Sequence, residues 1–227
     1  MNRRSTPEDD DGTVRDFAIR RLRFGTLLVA ALWIGVTPAL AQGTAPTKAA
    51  RPAKEVAGVV PVAPGTEAVV ETARGSFTIR LLPEVAPRHV AHFVKTARAG
   101  GYDRTTFHRI IAGGIIQGGD PLSKDAAKAS LYGTGGLGLL KAEFSERPFV
   151  RGTVAAARRP SSVDSGGSQF FICLRDQPSL QGQYTIFGEV VSGMEAVDQI
   201  GLTPVDGDKA KERVEMKVEI REPQAAP

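Results

Sequence analysis

Apolar residues along this chain recur with two periods, and each period predicts a different element. Glu67 to Glu71 and Phe77 to Leu82 flank Arg74-Gly75-Ser76 and read as a β-hairpin. From Pro87, a residue suited to a first helical turn, Val90, Phe93, Val94 and Ala97 follow the i, i+3, i+4, i+7 rule until Gly100-Gly101 stops them. His89 and His92 fall on that helix and read as surface residues. A second, shorter helix spans Gly193 to Ile200, with Met194, Val197 and Ile200 on one stripe. Near the end, Val214, Met216, Val218 and Ile220 alternate with charges, the pattern of a half-exposed strand. Several short strands, frequent glycine turns and only two helices predict a mainly β domain, a small barrel or sandwich.

Two segments carry unusual patterns. In FHRIIAGGIIQGGDP, from Phe107 to Pro121, strict alternation sets Phe107, Arg109 and Ile111 on one face and His108 and Ile110 on the other. Arg109 then sits among apolar neighbours, which taken alone reads as half of a buried or half-buried salt bridge. In GSQFFICL, Gln169, Phe171 and Cys173 share one face and Phe170, Ile172 and Leu174 the other, and neither face is cleanly polar. Such a strand suits a closed β structure that is packed inside and covered or ligand-binding outside. A third segment, QGQYTIFGEV from Gln181, reads as a turn into a strand that ends at Gly188 or just beyond.

These segments, in this order, resemble the cyclophilin family of peptidyl-prolyl cis/trans isomerases. The resemblance rests on Phe107-His108-Arg109, on Gln117-Gly118-Gly119-Asp120, on Gly167 through Ile172, and on Phe187-Gly188, and it covers about residues 66 to 222. It implies a closed eight-stranded antiparallel barrel capped by two helices, with its site on the outer face. It further implies Arg109 and Gln117 as catalytic residues, and His108, Ile115, Ala157, Arg158, Gln169, Phe171, Leu180 and Tyr184 as substrate-binding residues. No cofactor and no metal are implied; the partners would be proline-containing polypeptides, met by a monomer. Phe171 taken alone would read as core packing.

The chemistry follows from the bond. X-Pro rotation is slow because it breaks amide resonance. As the bond twists, the prolyl nitrogen regains its lone pair, so a donor aimed there stabilises the twisted state more than either planar one. Arg109 would be that donor, and its permanent charge needs no titrating partner.

This chain departs from the family at several positions. Gly113-Gly114-Ile115 stands where the family commonly has a Gly-Phe pair followed by Met, so Gly114 removes part of an aromatic wall and reduced activity is expected. Tyr184 replaces a frequent His. Ser179 replaces the Trp of cyclosporin-sensitive members, so weak cyclosporin binding is expected. Arg158 replaces an Asn whose backbone pairs with substrate. A non-catalytic chaperone module that grips proline segments is the alternative.

Composition and the N-terminus set the context. Arg15, Arg20, Arg21 and Arg23 precede a charge-free apolar run from Phe24 to Leu40 that closes on Ala39-Leu40-Ala41. That layout predicts an export signal, residues 1–41 with a long charged leader, cleaved before Gln42, and a periplasmic or secreted protein. An uncleaved anchor is the alternative, since the run is just short of a membrane span and carries Pro38; Arg20-Arg21 also permits twin-arginine export. Residues 42–65, rich in Ala and Pro, read as a flexible tether, and 223–227 as a tail. From Gln42 onward, 23 Lys and Arg stand against 20 Asp and Glu, and the resulting net charge, 23 − 20 = +3, is scattered, so no nucleic-acid footprint emerges. The only cysteine, Cys173, reads as a small buried apolar residue. Gly133, Gly135 and Gly138 satisfy G-x-G-x-x-G, but no strand precedes them and no long helix follows. That context counts against a dinucleotide site; the resemblance implies instead a tight loop near the active edge.

Overall fold

The computed structural model of the chain describes residues 60–223. The proposed signal segment and most of the tether lie outside these residues. The elements in chain order are β1 (Glu67–Thr72), β2 (Gly75–Leu81), α1 (Pro87–Arg98), β3 (Thr105–Ile111), β4 (Ile115–Gly118), β5 (Thr153–Ala156), β6 (Phe170–Cys173), β7 (Ile186–Ser192), α2 (Met194–Gly201), β8 (Val205–Asp206), β9 (Lys209–Ala210) and β10 (Glu215–Arg221). Three short 3-10 turns, Pro121–Lys124, Ala126–Leu131 and Pro178–Leu180, fill the connections. Among the described residues, no helix is long and apolar enough to cross a membrane.

Eight strands close on themselves. The order β10-β1-β2-β7-β5-β6-β4-β3 returns to β10 through Glu215↔Thr106 and Met216↔Thr105, and the pairings are antiparallel. The β8–β9 hairpin hangs on the outside, joined to β3 at Arg109↔Lys209. Closure removes the free edges that a sheet of this size would otherwise expose. The expected hairpin, both helices and the last strand form where the periodicity places them. The strand expected to stop near Gly188 instead runs to Ser192. Gly188 lies inside it because β2 passes too close for a side chain: a Cβ there would meet Ile79 Cγ2 at 2.7 Å and the Arg80 carbonyl at 3.0 Å.

Alternation sorts β6 between two cores. Phe170 and Ile172 point into the barrel, where Phe77, Phe107, Ile110, Ile116 and the apolar stripes of both helices meet them. Phe93 of α1 packs against Tyr102, Phe170 and Phe187 at centroid distances of 4.9, 5.8 and 5.3 Å, which seats the helix over one barrel end. Val62, just before β1, is partly buried against the same core. Phe171 and Cys173 point outward into a second cluster with Leu82, Phe149, Ala155, Ala157 and Ile186. Burial pushes the Cys173 thiol up to about 12, with Asp176 adding to the effect, so it is not a reactive thiolate.

His89 is not a surface residue. It is 3% exposed, because the loop carrying Glu143 folds over the start of α1. Glu143 accepts hydrogen bonds from the backbone N–H groups of Arg88 at 3.2 Å and His89 at 3.0 Å, and from His89 Nδ1 at 2.7 Å. A carboxylate from a distant loop thus caps a helix that has no side-chain cap of its own, and meets the positive end of its dipole. Burial alone would raise the Glu143 pKa, but these hydrogen bonds prevail and hold it below its ordinary value.

A depressed carboxyl pKa contributes stability that is present above the unfolded value, about 4.3, and is lost as pH falls through the folded one. Glu143→Gln should therefore lower the melting temperature at pH 7 by several degrees, on a cost of about 1–3 kcal/mol and roughly 2–4 °C per kcal/mol at this size. The gap to wild type should start to shrink as pH falls below about 4.3, where the unfolded carboxylate takes up its proton, and should close as pH passes through the lowered native value. Thermal melts across pH 3–7 test this, and a gap that is constant with pH would overturn it.

Candidate active site

Arg109 reaches the outer face because β3 carries one residue too many. Arg109 pairs with Gln117 and Phe107 with Gly118, so a β-bulge at His108 separates them. The bulge breaks the alternation expected from sequence: Phe107 and Ile110 point into the barrel, and Arg109 and Ile111 point out. His108, expected among the substrate-binding residues, does not line the groove. It is 7% exposed, edge-on to Tyr132 at 6.4 Å, and among the described residues neither ring nitrogen has a partner. Burial holds its pKa below the ordinary value, so the ring is neutral at pH 7.

The Arg109 guanidinium is held from two sides. Nη1 donates to Gln117 Oε1 at 3.2 Å; Gln117 Nε2 donates to Gln169 Oε1 at 3.0 Å; Gln169 Nε2 donates to the Gly135 carbonyl at 2.7 Å. On the other side Nε donates to Asp208 Oδ2 at 2.6 Å. Gln169 is fully buried and touches no solvent, so it positions Gln117 rather than meeting a peptide itself. Asp208 was not legible in the sequence, since it lies in the β8–β9 turn 99 residues away.

The glycine loop has a physical role quite unlike nucleotide binding. Asp120 is fully buried and lies two residues after the end of β4. Its Oδ2 accepts from the N–H groups of Gly133 at 2.6 Å and Gly135 at 3.2 Å, and its Oδ1 from Leu122 at 2.8 Å. A Cβ at residue 135 would meet Asp120 Oδ1 at 2.4 Å, so only glycine lets the backbone come this near. The loop's amides therefore embrace the protein's own carboxylate.

A groove of about 440 Å³ opens beside Arg109, lined by Ile115, Gln117, Ala157, Arg158, Pro160, Phe171, Leu180 and Tyr184. Its floor is the exposed edge of the second hydrophobic cluster, on which Ile115, Leu180 and Tyr184 pack. Phe171 is both core and wall: it stacks on Phe149 at 6.4 Å and meets Tyr184 edge-on at 5.2 Å. All but two of the expected site residues come together here, His108 and Gln169 being the exceptions. Pro160 joins them without a sequence signal. Gly114 sits in the β3–β4 turn, its carbonyl accepting from the Leu174 N–H at 2.8 Å. Ser179 is exposed beside Leu180. A fixed guanidinium at the lip of an apolar slot can bind a small ring and direct a donor at an amide beside it, without moving a proton.

Residues 68–223 match the family described as cyclophilin type peptidyl-prolyl cis-trans isomerase/CLD. A "Probable peptidyl-prolyl cis-trans isomerase" of Brucella suis is 45% identical over 142 residues, covering 60% of this chain and 72% of that protein. An Arabidopsis thaliana peptidyl-prolyl cis-trans isomerase is 36% identical over 140 residues, covering 62% and 83%. Among solved structures, a Cryptosporidium parvum cyclophilin crystallised in the presence of the dipeptide Ala-Pro superposes with a TM-score of 0.61 at 28% identity, covering 70% of this chain and 99% of that one. The chain belongs to the cyclophilin-type peptidyl-prolyl cis-trans isomerases, and the closed eight-stranded barrel is that family's fold.

The Arg109–Asp208 pair is itself sensitive to pH. The Arg109 hydrogen bond holds the Asp208 carboxyl below its ordinary value, so the pair is intact at neutral pH and is lost as pH falls through that lowered value. Both side chains are about two-fifths exposed, at 40% and 46%, so the pair is worth no more than about 1 kcal/mol. Asp208→Asn should lower the rate constant kcat/KM by up to about fivefold at pH 7. The deficit should persist at pH 4 and close only as pH falls below the ordinary Asp range, about 3.9, and through the lowered native value, where the native pair is also broken. A deficit that stays constant from pH 7 down to the acid limit of folding would count against the pair.

Proposed function

We propose that this chain isomerises X-Pro bonds of exported polypeptides and so assists their folding, with Arg109 as the donor to the twisting amide and the groove as the seat of the proline ring. The observation that carries the reading is the guanidinium braced by Gln117 and Asp208 at the lip of an apolar groove. One charged hydrogen bond is worth about 1.5–3 kcal/mol, or roughly ten- to a hundredfold in rate, so Arg109 supplies part of the acceleration and the dry groove the rest. The protein works as a monomer in the periplasm or outside the cell, after removal of residues 1–41.

Gly114 sets the rate below that of members with a Phe at this place, because one wall of the proline seat is missing. A Cβ at residue 114 would meet Ile111 Cγ2 at 2.9 Å, so a restored Phe needs room made at Ile111. Cyclosporin binds weakly, since Ser179 offers no indole at the rim.

A protease-free exchange assay on an X-Pro peptide tests the reading: Arg109→Ala should lower kcat/KM by at least about tenfold. Gly114→Phe in an Ile111→Ala background should exceed Ile111→Ala alone; no gain would sink the wall argument. Nanomolar inhibition of the unmodified protein by cyclosporin would refute the Ser179 argument. For export, the N-terminus of protein recovered from a bacterial periplasm should be Gln42, and an intact leader there would overturn it.

A further inference from the structure

The groove contains a second guanidinium besides that of Arg109. Arg158 lies over the Tyr184 ring with its Cζ 4.7 Å from the centroid. Its Nε donates to the Gln183 carbonyl at 3.0 Å, and its Nη1 to the Arg159 carbonyl at 3.2 Å. Carbonyls and a π face hold the side chain in place but leave its charge whole. Among the described residues Arg158 has no carboxylate partner, and Nη2 has no acceptor. Two nearby loop carboxylates point to other partners: Asp164 accepts from the Ala142 N–H at 2.9 Å, and Glu143 caps α1. The neighbouring Arg159 donates to the Leu137 carbonyl at 3.2 Å and is likewise unpaired with any acid.

Arg109 differs, because Asp208 offsets its charge. The groove lining holds two arginines and no acidic side chain, so its uncompensated charge resides at Arg158. A planar guanidinium, pre-oriented on an aromatic ring with donors to spare, is a receptor for a carboxylate.

We propose that Arg158, clamped on Tyr184, is an anion subsite of the groove, which selects prolyl substrates carrying an Asp or Glu within two residues of the proline. This rests on the reading of the groove as the seat of the proline. The acidic side chain meets the free edge of the guanidinium while the ring occupies the slot beside Phe171. A lysine at the same position is repelled.

The test uses two sets of prolyl peptides, one varied two residues before the proline and one varied one residue after it, each with Glu, Ala or Lys. Binding is read by fluorescence anisotropy, and kcat/KM by the exchange assay. In at least one set the Glu peptide should bind about fivefold more tightly than the Lys peptide, and the advantage should shrink with added salt. Arg158→Ala should bring the Glu-to-Lys ratio close to one, and Arg158→Lys should keep part of it. Equal binding of Glu and Lys peptides in both sets, or a preference that survives Arg158→Ala, would overturn the proposal. Because anisotropy needs no turnover, an Arg109→Ala variant that keeps its full exchange rate would defeat the catalytic reading while leaving the anion subsite separately measurable.

Discussion

Gln169 has no solvent contact, and a primary amide in such a place must have its donors and acceptor satisfied within the protein. Its Nε2 is met by the Gly135 carbonyl and its Oε1 by Gln117 Nε2. This requirement organises the site. It orients the Gln117 amide so that Oε1 faces outward, and that oxygen receives Arg109. A flexible arginine loses much side-chain freedom when it is held, and here the loss is met in the folded state rather than at substrate binding. Asp208 completes the restraint from a different element, so the guanidinium is fixed between a rigid amide chain and a surface carboxylate.

The groove exists because one strand serves two cores. In β6, Phe170 fills the barrel and Phe171, the next residue, walls the groove. A shift of one residue in register would exchange them, and the interior core forbids it: Phe170 is locked edge-on among Phe93, Tyr102 and Phe107 at 5.8–6.1 Å. Packing inside the barrel therefore sets the geometry outside it. The proposed mechanism requires this, since under it the donor and the apolar seat must keep their separation while the bond turns.

Sequence periodicity carried the elements well, because hairpin, helices and last strand depend on local spacing that Phe93, Val197 or Val218 declare on their own. It carried the site composition through motif resemblance, and Arg109, Gln117, Phe171, Leu180 and Tyr184 do converge. What escaped it is tertiary. The bulge at His108 has no local signal and reverses the faces of β3. His89 looked exposed because its partner, Glu143, comes from a loop 54 residues on. Asp208 and Pro160 reach the site from segments whose own patterns say nothing of Arg109. Even the bland reading of Arg109 as a salt-bridge residue is true, and it is compatible with the catalytic one.

The glycine-rich loop shows why a motif needs its electrostatic context. Clustered backbone N–H groups in such a loop attract an anion, and in nucleotide-binding folds that anion is a phosphate. Here the anion is Asp120, delivered by the residue after Gln117-Gly118-Gly119, and it is already held by three amides. Two of the loop's amides are thereby committed to a carboxylate of the protein itself rather than to a ligand's phosphate. It gains rigidity instead, and the Gly135 carbonyl passes that rigidity to Gln169 and so to the arginine. The same amides that would make a binding site in one setting become the back of the brace behind Arg109 in this one. The difference is one buried carboxylate.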